Sequence, residues 1–198
     1  MDQAKLTLLM EEVKRGALSP EEASLRLKAL PFEDLGFAKI DNHRALRRGH
    51  PETIFAHGKT PEQVTKIVQA MRDAGSNVLA TRASQEVADA VLAAVPQVEY
   101  NELGRTLTLE QNPVEKLPGY VAVVCAGTSD LPVAEEAAVT ADIMGNNVKR
   151  VSDIGVAGLH RVLRQRETLE GAHVIIVCAG MEGALPSVVA GLVDKPVI

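Results

Sequence analysis

Hydrophobic residues recur along this chain in two rhythms, one at helical spacing and one as short unbroken runs, and their order sets the architecture. Leu6, Leu8, Leu9 and Val13 recur at mostly helical intervals between Lys5 and Arg15, and Gly16 ends that segment. Ser19-Pro20-Glu21-Glu22 opens a second helix, with Ser19 as N-cap, Pro20 in the first turn and Glu22 in the capping-box position. Leu25, Leu27 and Leu30 carry it to Pro31, so residues 1–33 read as a helical hairpin without chemistry of its own. Phe37 to Asp41 and Glu52 to Phe55 are short strand candidates. Thr60-Pro61-Glu62-Gln63 starts a helix whose apolar face is Val64, Ile67, Val68 and Met71, and Gly75 stops it. A strand over Asn77 to Thr81, a helix over Ser84 to Val95 and a strand over Arg105 to Leu109 complete a β-α-β-α-β succession. Residues 34–112 are thereby a small α/β domain, and Pro113 and Pro118 mark Glu110 to Gly119 as a linker.

From Val121 the apolar runs lengthen. Val121 to Cys125 has no polar break, the pattern of a strand covered on both faces. Ala126, Gly127, Thr128 and Ser129 then allow a tight turn, and Pro132 fits the first turn of a helix that runs to Met144, with Val133, Ala137, Ala138 and Ala141 inward. Val148 to Val151 is the next strand, followed by a glycine-bearing loop through Gly155 and Gly158 and a helix from Leu159 to Leu169. Val174 to Cys178 is a third buried strand, leading through Gly180-Met181-Glu182-Gly183 into a helix over Ser187 to Val193, and Pro196-Val197-Ile198 begins another strand. Residues 119–198 therefore read as a three-layer open parallel sheet of the flavodoxin or Rossmann kind. In such sheets the loops leaving the strand C-termini gather around one ligand.

Composition narrows the partners. The 198 residues are 46% hydrophobic, enough for a core, and their formal net charge of -5 argues against nucleic acid or a membrane surface as the main partner. Aromatic residues at 3% leave little for base stacking. No apolar run reaches the ~20 residues that span a bilayer, and no signal-peptide pattern follows Met1, so the reading is a cytoplasmic protein. Cys125 and Cys178 fall inside strands without CxxC spacing, as buried free thiols do.

Candidate chemistry lies in two regions. His43, Arg44, Arg47 and Arg48 crowd donors into six residues beside Gly49 and Pro51, either a solvated face or an anion clamp. Gly58-Lys59-Thr60 is not a Walker A loop, because the earlier glycine that motif needs is replaced by Thr53. At the sheet edge, Gly127, Thr128 and Ser129 offer backbone N–H groups and hydroxyls at a helix N-terminus, an anion site. Asp130 caps its helix or orients a ribose hydroxyl or a metal-bound water. His160 beside Arg161 suits proton transfer near an anion, against the simpler reading of a surface histidine. Glu182 is a carboxylate at a helix N-terminus or one that faces substrate or metal.

AGTSDLPVAEEA, GVAGLHR and AGMEGALPSVVAGLVDKPVI resemble the core of the PurE-type aminoimidazole ribonucleotide carboxylases, whose pattern is a G-S-x-S-D loop, an S-A-H-R loop and an A-G-G-A-A-H-L-P-G loop. Thr128, Leu159 and Val162 depart from it, and Met181-Glu182 stand where the purine enzymes carry small residues and His. With FAKIDNHRALRRGHPETIFAHGKTPEQV ahead of this core, the whole chain is most similar to the LarB family, the pyridinium carboxylases of nickel-pincer cofactor biosynthesis. The resemblance implies a PurE-like α/β fold, a homo-octamer, and carboxylation by CO2 at C5 of the pyridinium ring of nicotinic acid adenine dinucleotide. Cleavage of the phosphoanhydride with release of AMP and a divalent ion such as Mg2+ are implied with it; the metal ligands are not. With the reading of the residues above, catalysis is expected of His160 and Glu182. Substrate binding falls to Arg44, Arg47, Arg48, Lys59, Gly127, Thr128, Ser129, Asp130, Arg161, Gly180, Met181 and Gly183. The resemblance places the nucleophilic cysteine beyond the strand begun at Pro196, where neither Cys125 nor Cys178 matches it; on that reading the 198-residue chain binds ligand weakly and does not turn over. The rival readings are a purine-pathway carboxylase or mutase on the same fold and a non-catalytic nucleotide-binding module.

Overall fold

A computed structural model describes residues 3–28 and 32–198, and Leu30 and Pro31, read above as the end of the second helix, lie outside them. The chain divides into two compact units: the residues up to Tyr100 with Leu107–Asn112, and Asn101–Thr106 with Pro113–Ile198.

The first unit opens with α1 (Gln3–Lys14) and α2 (Pro20–Lys28). The capping box at α2 forms in both directions, Glu22 N–H to Ser19 Oγ and Ser19 N–H to the Glu22 carboxylate, each 3.1 Å. Leu9, Leu18 and Ala23 are the buried residues of this hairpin, with Val13 and Leu27 packed against them. Leu8 and Leu25, part of the apolar pattern, stand 54% and 68% exposed, so the buried stripe is narrower than the leucine spacing implies. Strand β1 (Glu33–Asp34) pairs antiparallel with β2 (Lys39–Ile40), and α3 (Arg44–Arg48) is a short helix where the sequence showed only a basic run. Then come β3 (Thr53–Phe55), α4 (Pro61–Asp73), β4 (Val78–Thr81), α5 (Gln85–Ala94), β5 (Glu99–Asn101) and β6 (Thr106–Leu109). The sheet order is β3-β4-β6-β5, with β3 parallel and β6 antiparallel to β4. Val64, Val68, Met71, Val78, Val91 and Leu107 sit in its core. β5 carries Glu99 and Asn101, polar enough that no strand was legible there.

The second unit is built on β7 (Val121–Cys125), β8 (Val148–Val151) and β9 (Val174–Cys178), all parallel, in the order β8-β7-β9. The central strand β7 is the one that reads as an unbroken apolar run, and its Ala122 to Cys125 are fully buried. β8 is an edge strand with Lys149 and Arg150 exposed. β9, expected to be buried throughout, is only half-covered except at Ile175, because its outer neighbour is the short segment at Pro196 to Ile198. That segment bonds to it in strand fashion, Ile175 N–H to Pro196 O and Val177 N–H to Ile198 O, both 2.9 Å. Helix α6 (Leu131–Ile143) packs Ala134 and Ala138 on one face of the sheet. On the other face lie α7 (Leu159–Arg164), α8 (Arg166–Glu170) and α9 (Ala184–Leu192), through Val162, Leu169, Leu185 and Val189. The helix read as continuous from Leu159 is thus interrupted at Gln165, whose N–H bonds to Val162 O at 3.0 Å in place of an α-helical partner. The three-layer α/β architecture is as the residue pattern implies.

Candidate active site at the parallel-sheet edge

The C-terminal ends of β7, β8 and β9 release three loops at one edge, and backbone hydrogen bonds knit the loops together. Ala126 N–H donates to Cys178 O at 3.2 Å, Ile154 N–H to Cys125 O at 3.2 Å, and Gly155 N–H to Ala126 O at 2.9 Å. The first loop is tied in this way to both neighbours. Above them opens a cavity of about 600 Å3, within the range of small-molecule sites. Gly127, Ser129 and Asp130 line it from the first loop, and Asp153, Gly155 and Arg161 from the second. Gly180, Met181, Glu182 and Gly183 line it from the third.

Charge in this cavity is unequal: Asp130, Asp153 and Glu182 face a single cation, Arg161. Arg161 is fastened to Asp153 at 2.7 Å. Asp153 itself holds a left-handed backbone, φ 58°, which aspartate tolerates better than most side chains. The guanidinium lies against Gly158, where a Cβ would come within 2.6 Å of Nε. Asp130 accepts 3.0 Å bonds from Gly127 N–H and Gly180 N–H. Glu182 is exposed on the loop before α9, and among the described residues no side chain pairs with it. Met181 beside it is 95% exposed.

The two cysteines meet in register, Cys125 opposite Cys178, beneath the cavity. Burial pushes the Cys178 thiol up, and the nearby Cys125, Asp130 and Glu136 push it the same way, so it stays protonated at neutral pH. Cys125 is fully buried. Neither is placed as an activated nucleophile. Among the described residues no three His, Cys, Asp or Glu side chains are grouped to hold a metal ion.

Of the residues singled out from sequence, Gly127, Ser129, Asp130, Arg161, Gly180, Met181, Glu182 and Gly183 come together on the cavity wall. Thr128 lies on the same turn, and His160 is exposed on the first turn of α7, but neither is on the wall. Arg44, Arg47, Arg48 and Lys59 belong to the first unit. There Arg47 is spent on Asp41, 2.6 Å away, and this hydrogen-bonded guanidinium holds the Asp41 carboxyl below its ordinary range. Lys59 Nζ donates to Phe55 O at 2.7 Å, while Arg44 and Arg48 are exposed. Asp153 was not singled out. The signal available was an acidic residue eight positions before Arg161 in a glycine loop, which is too common to stand out.

The parallel α/β fold of the second unit agrees with what comparison with known proteins finds. Residues 120–198 match the AIR carboxylase family, and residues 32–111 match the LarB/PurE-like N-terminal domain. An uncharacterised protein of Methanocaldococcus jannaschii is 35% identical over 199 residues, an alignment that takes in 96% of this chain and 78% of that protein. The chain belongs to the LarB/PurE-like superfamily. That membership supports an enzyme of the carboxylase type. No helix among the described residues is long and apolar enough to cross a membrane.

Proposed function

We propose that the protein carboxylates the pyridinium ring of nicotinic acid adenine dinucleotide at C5 with CO2 and cleaves its phosphoanhydride, releasing AMP, as one step of nickel-pincer cofactor synthesis. The observation that carries this reading is the charge of the cavity, three carboxylates to one guanidinium. The pyridinium nitrogen carries a positive charge that an imidazole ribonucleotide lacks, so carboxylates on the wall favour that ring, while the dinucleotide's own carboxylate and pyrophosphate call for the guanidinium and N–H donors. Glu182, which lines the cavity and pairs with no side chain among the described residues, is the group assigned to face the ring and take a ring proton. Arg161, steadied by Asp153, receives the nicotinate carboxylate or a phosphate oxygen, and the N–H groups of the turn after Gly127 take another. His160, exposed beside Arg161, serves proton exchange at the rim. An electron-poor ring attacks CO2 only after a nucleophile has added to it, and neither Cys125 nor Cys178 is placed for that role. Mg2+ enters as the counter-ion of the phosphoanhydride, and the working assembly is a cytoplasmic homo-octamer.

A second reading, an aminoimidazole ribonucleotide carboxylase, draws on the match of residues 120–198 to the AIR carboxylase family. Incubating the product of the full gene with nicotinic acid adenine dinucleotide, bicarbonate and Mg2+ and weighing the products separates the two. A gain of one carboxyl group with AMP release is the expected result. Conversion of the imidazole ribonucleotide alone would replace the first reading with the second.

A further inference from the structure

Asp130 stands immediately before α6, where an aspartate ordinarily caps the helix, yet its side chain makes no capping bond to that helix. The carboxylate turns the other way. One oxygen accepts from Gly127 N–H in its own loop, and the other accepts from Gly180 N–H, fifty residues further along the chain, each at 3.0 Å. Both are charge-assisted bonds from backbone donors. Among the described residues, the Gly180 bond is the one that ties the stretch between β9 and α9 to another loop. That stretch is poorly anchored otherwise: Met181 and Glu182 are exposed, and Gly183 takes a left-handed backbone, φ 67°, before α9 begins.

We propose that Asp130 is a positioning residue: its carboxylate pins the third loop to the first and so fixes where Glu182 stands over the cavity. An asparagine there has one acceptor oxygen for two N–H donors and an NH2 group that meets the second donor head-on, so the isostere cannot make both bonds. Asp130 touches the cavity too, but the bond to Gly180 acts through the loop that carries Met181 and Glu182. The inference rests on the proposed function for its consequence to ligand binding, and on geometry alone for its effect on the loop.

Amide exchange and ligand titration of the wild type, Asp130→Asn, Glu182→Gln and the double variant test the two parts separately. In Asp130→Asn the Gly180 amide, whose N–H is bonded to Asp130, exchanges about tenfold faster, while those of Val123 and Ile175 in the sheet keep their protection, which shows that the fold is intact. Affinity for nicotinic acid adenine dinucleotide falls about tenfold in Asp130→Asn and changes by less than about threefold when the same change is made in Glu182→Gln. Unaltered exchange at Gly180 would overturn the proposal, as would an equal loss of affinity in both backgrounds. If the wild type fails to bind the dinucleotide, the functional reading falls, and the exchange rates still decide whether Asp130 holds the loop.

Discussion

Asn77 spends its whole side-chain amide on the backbone that leaves the first unit. Its Oδ1 accepts from Gln111 N–H at 2.9 Å and Asn112 N–H at 2.7 Å, and its Nδ2 donates to Asn112 O at 2.8 Å. At 8% exposure no water replaces it readily, so Asn77→Ala leaves three backbone groups unpaired and should cost about 2–3 kcal/mol in denaturant unfolding. Glu135 plays the corresponding part in the second unit. Its carboxylate takes both Arg150 Nε at 2.7 Å and a terminal guanidinium nitrogen at 3.0 Å, with Asn101 Nδ2 at 2.8 Å. The Arg150 hydrogen bond chiefly holds the Glu135 carboxyl below its ordinary value. A carboxyl with a lowered folded pKa stabilises the fold above its unfolded pKa, about 4.3, and loses that contribution as pH falls through the folded value. Glu135→Gln should therefore be less stable than wild type at neutral pH, with the gap closing below about pH 4; a gap independent of pH would deny the pairing. Neither residue was legible as structural, since a lone Asn or Glu in sequence carries no sign of a partner 34 or 15 positions away.

At the scale of elements, local chemistry made some boundaries readable and tertiary packing hid others. Thr60 and Gln63 form their capping box in both directions, and Ser84 Oγ accepts from Val87 N–H, so the starts of α4 and α5 follow from side chains within one turn. β7 was plain because the central strand of a parallel sheet is apolar on both faces. The break at Gln165, the two-residue strand β1 and the polar strand β5 depend on what each segment packs against or pairs with, which the sequence does not print. The candidate site divides the same way. Its glycine loops were visible, but the Asp153–Arg161 pair and the turn of Asp130 towards Gly180 join residues through the fold. The Arg161 side chain occupies the space a Cβ at Gly158 would need, so Gly158→Ala should displace the guanidinium. The expected effect is a loss of dinucleotide affinity of about tenfold, with thermal stability nearly kept; equal affinity by calorimetry would remove Arg161 from the ligand.

At the scale of the whole molecule, three loops from one parallel sheet edge share one cavity whose wall carries more carboxylates than cations, the feature on which the proposed cationic ring rests. Superfamily membership supports the carboxylase type but leaves the ring open, and the proposal of a pyridinium over an imidazole ribonucleotide rests on the carboxylates of the cavity wall. The most direct measurement is an amide NMR titration of the protein with nicotinic acid adenine dinucleotide and, in parallel, with aminoimidazole ribonucleotide. The account predicts that the dinucleotide shifts Gly127, Gly155, Arg161, Gly180 and Glu182 together with one common affinity and that the imidazole ribonucleotide leaves them in place. Shifts confined to one loop, or a stronger response to the imidazole compound, would contradict it.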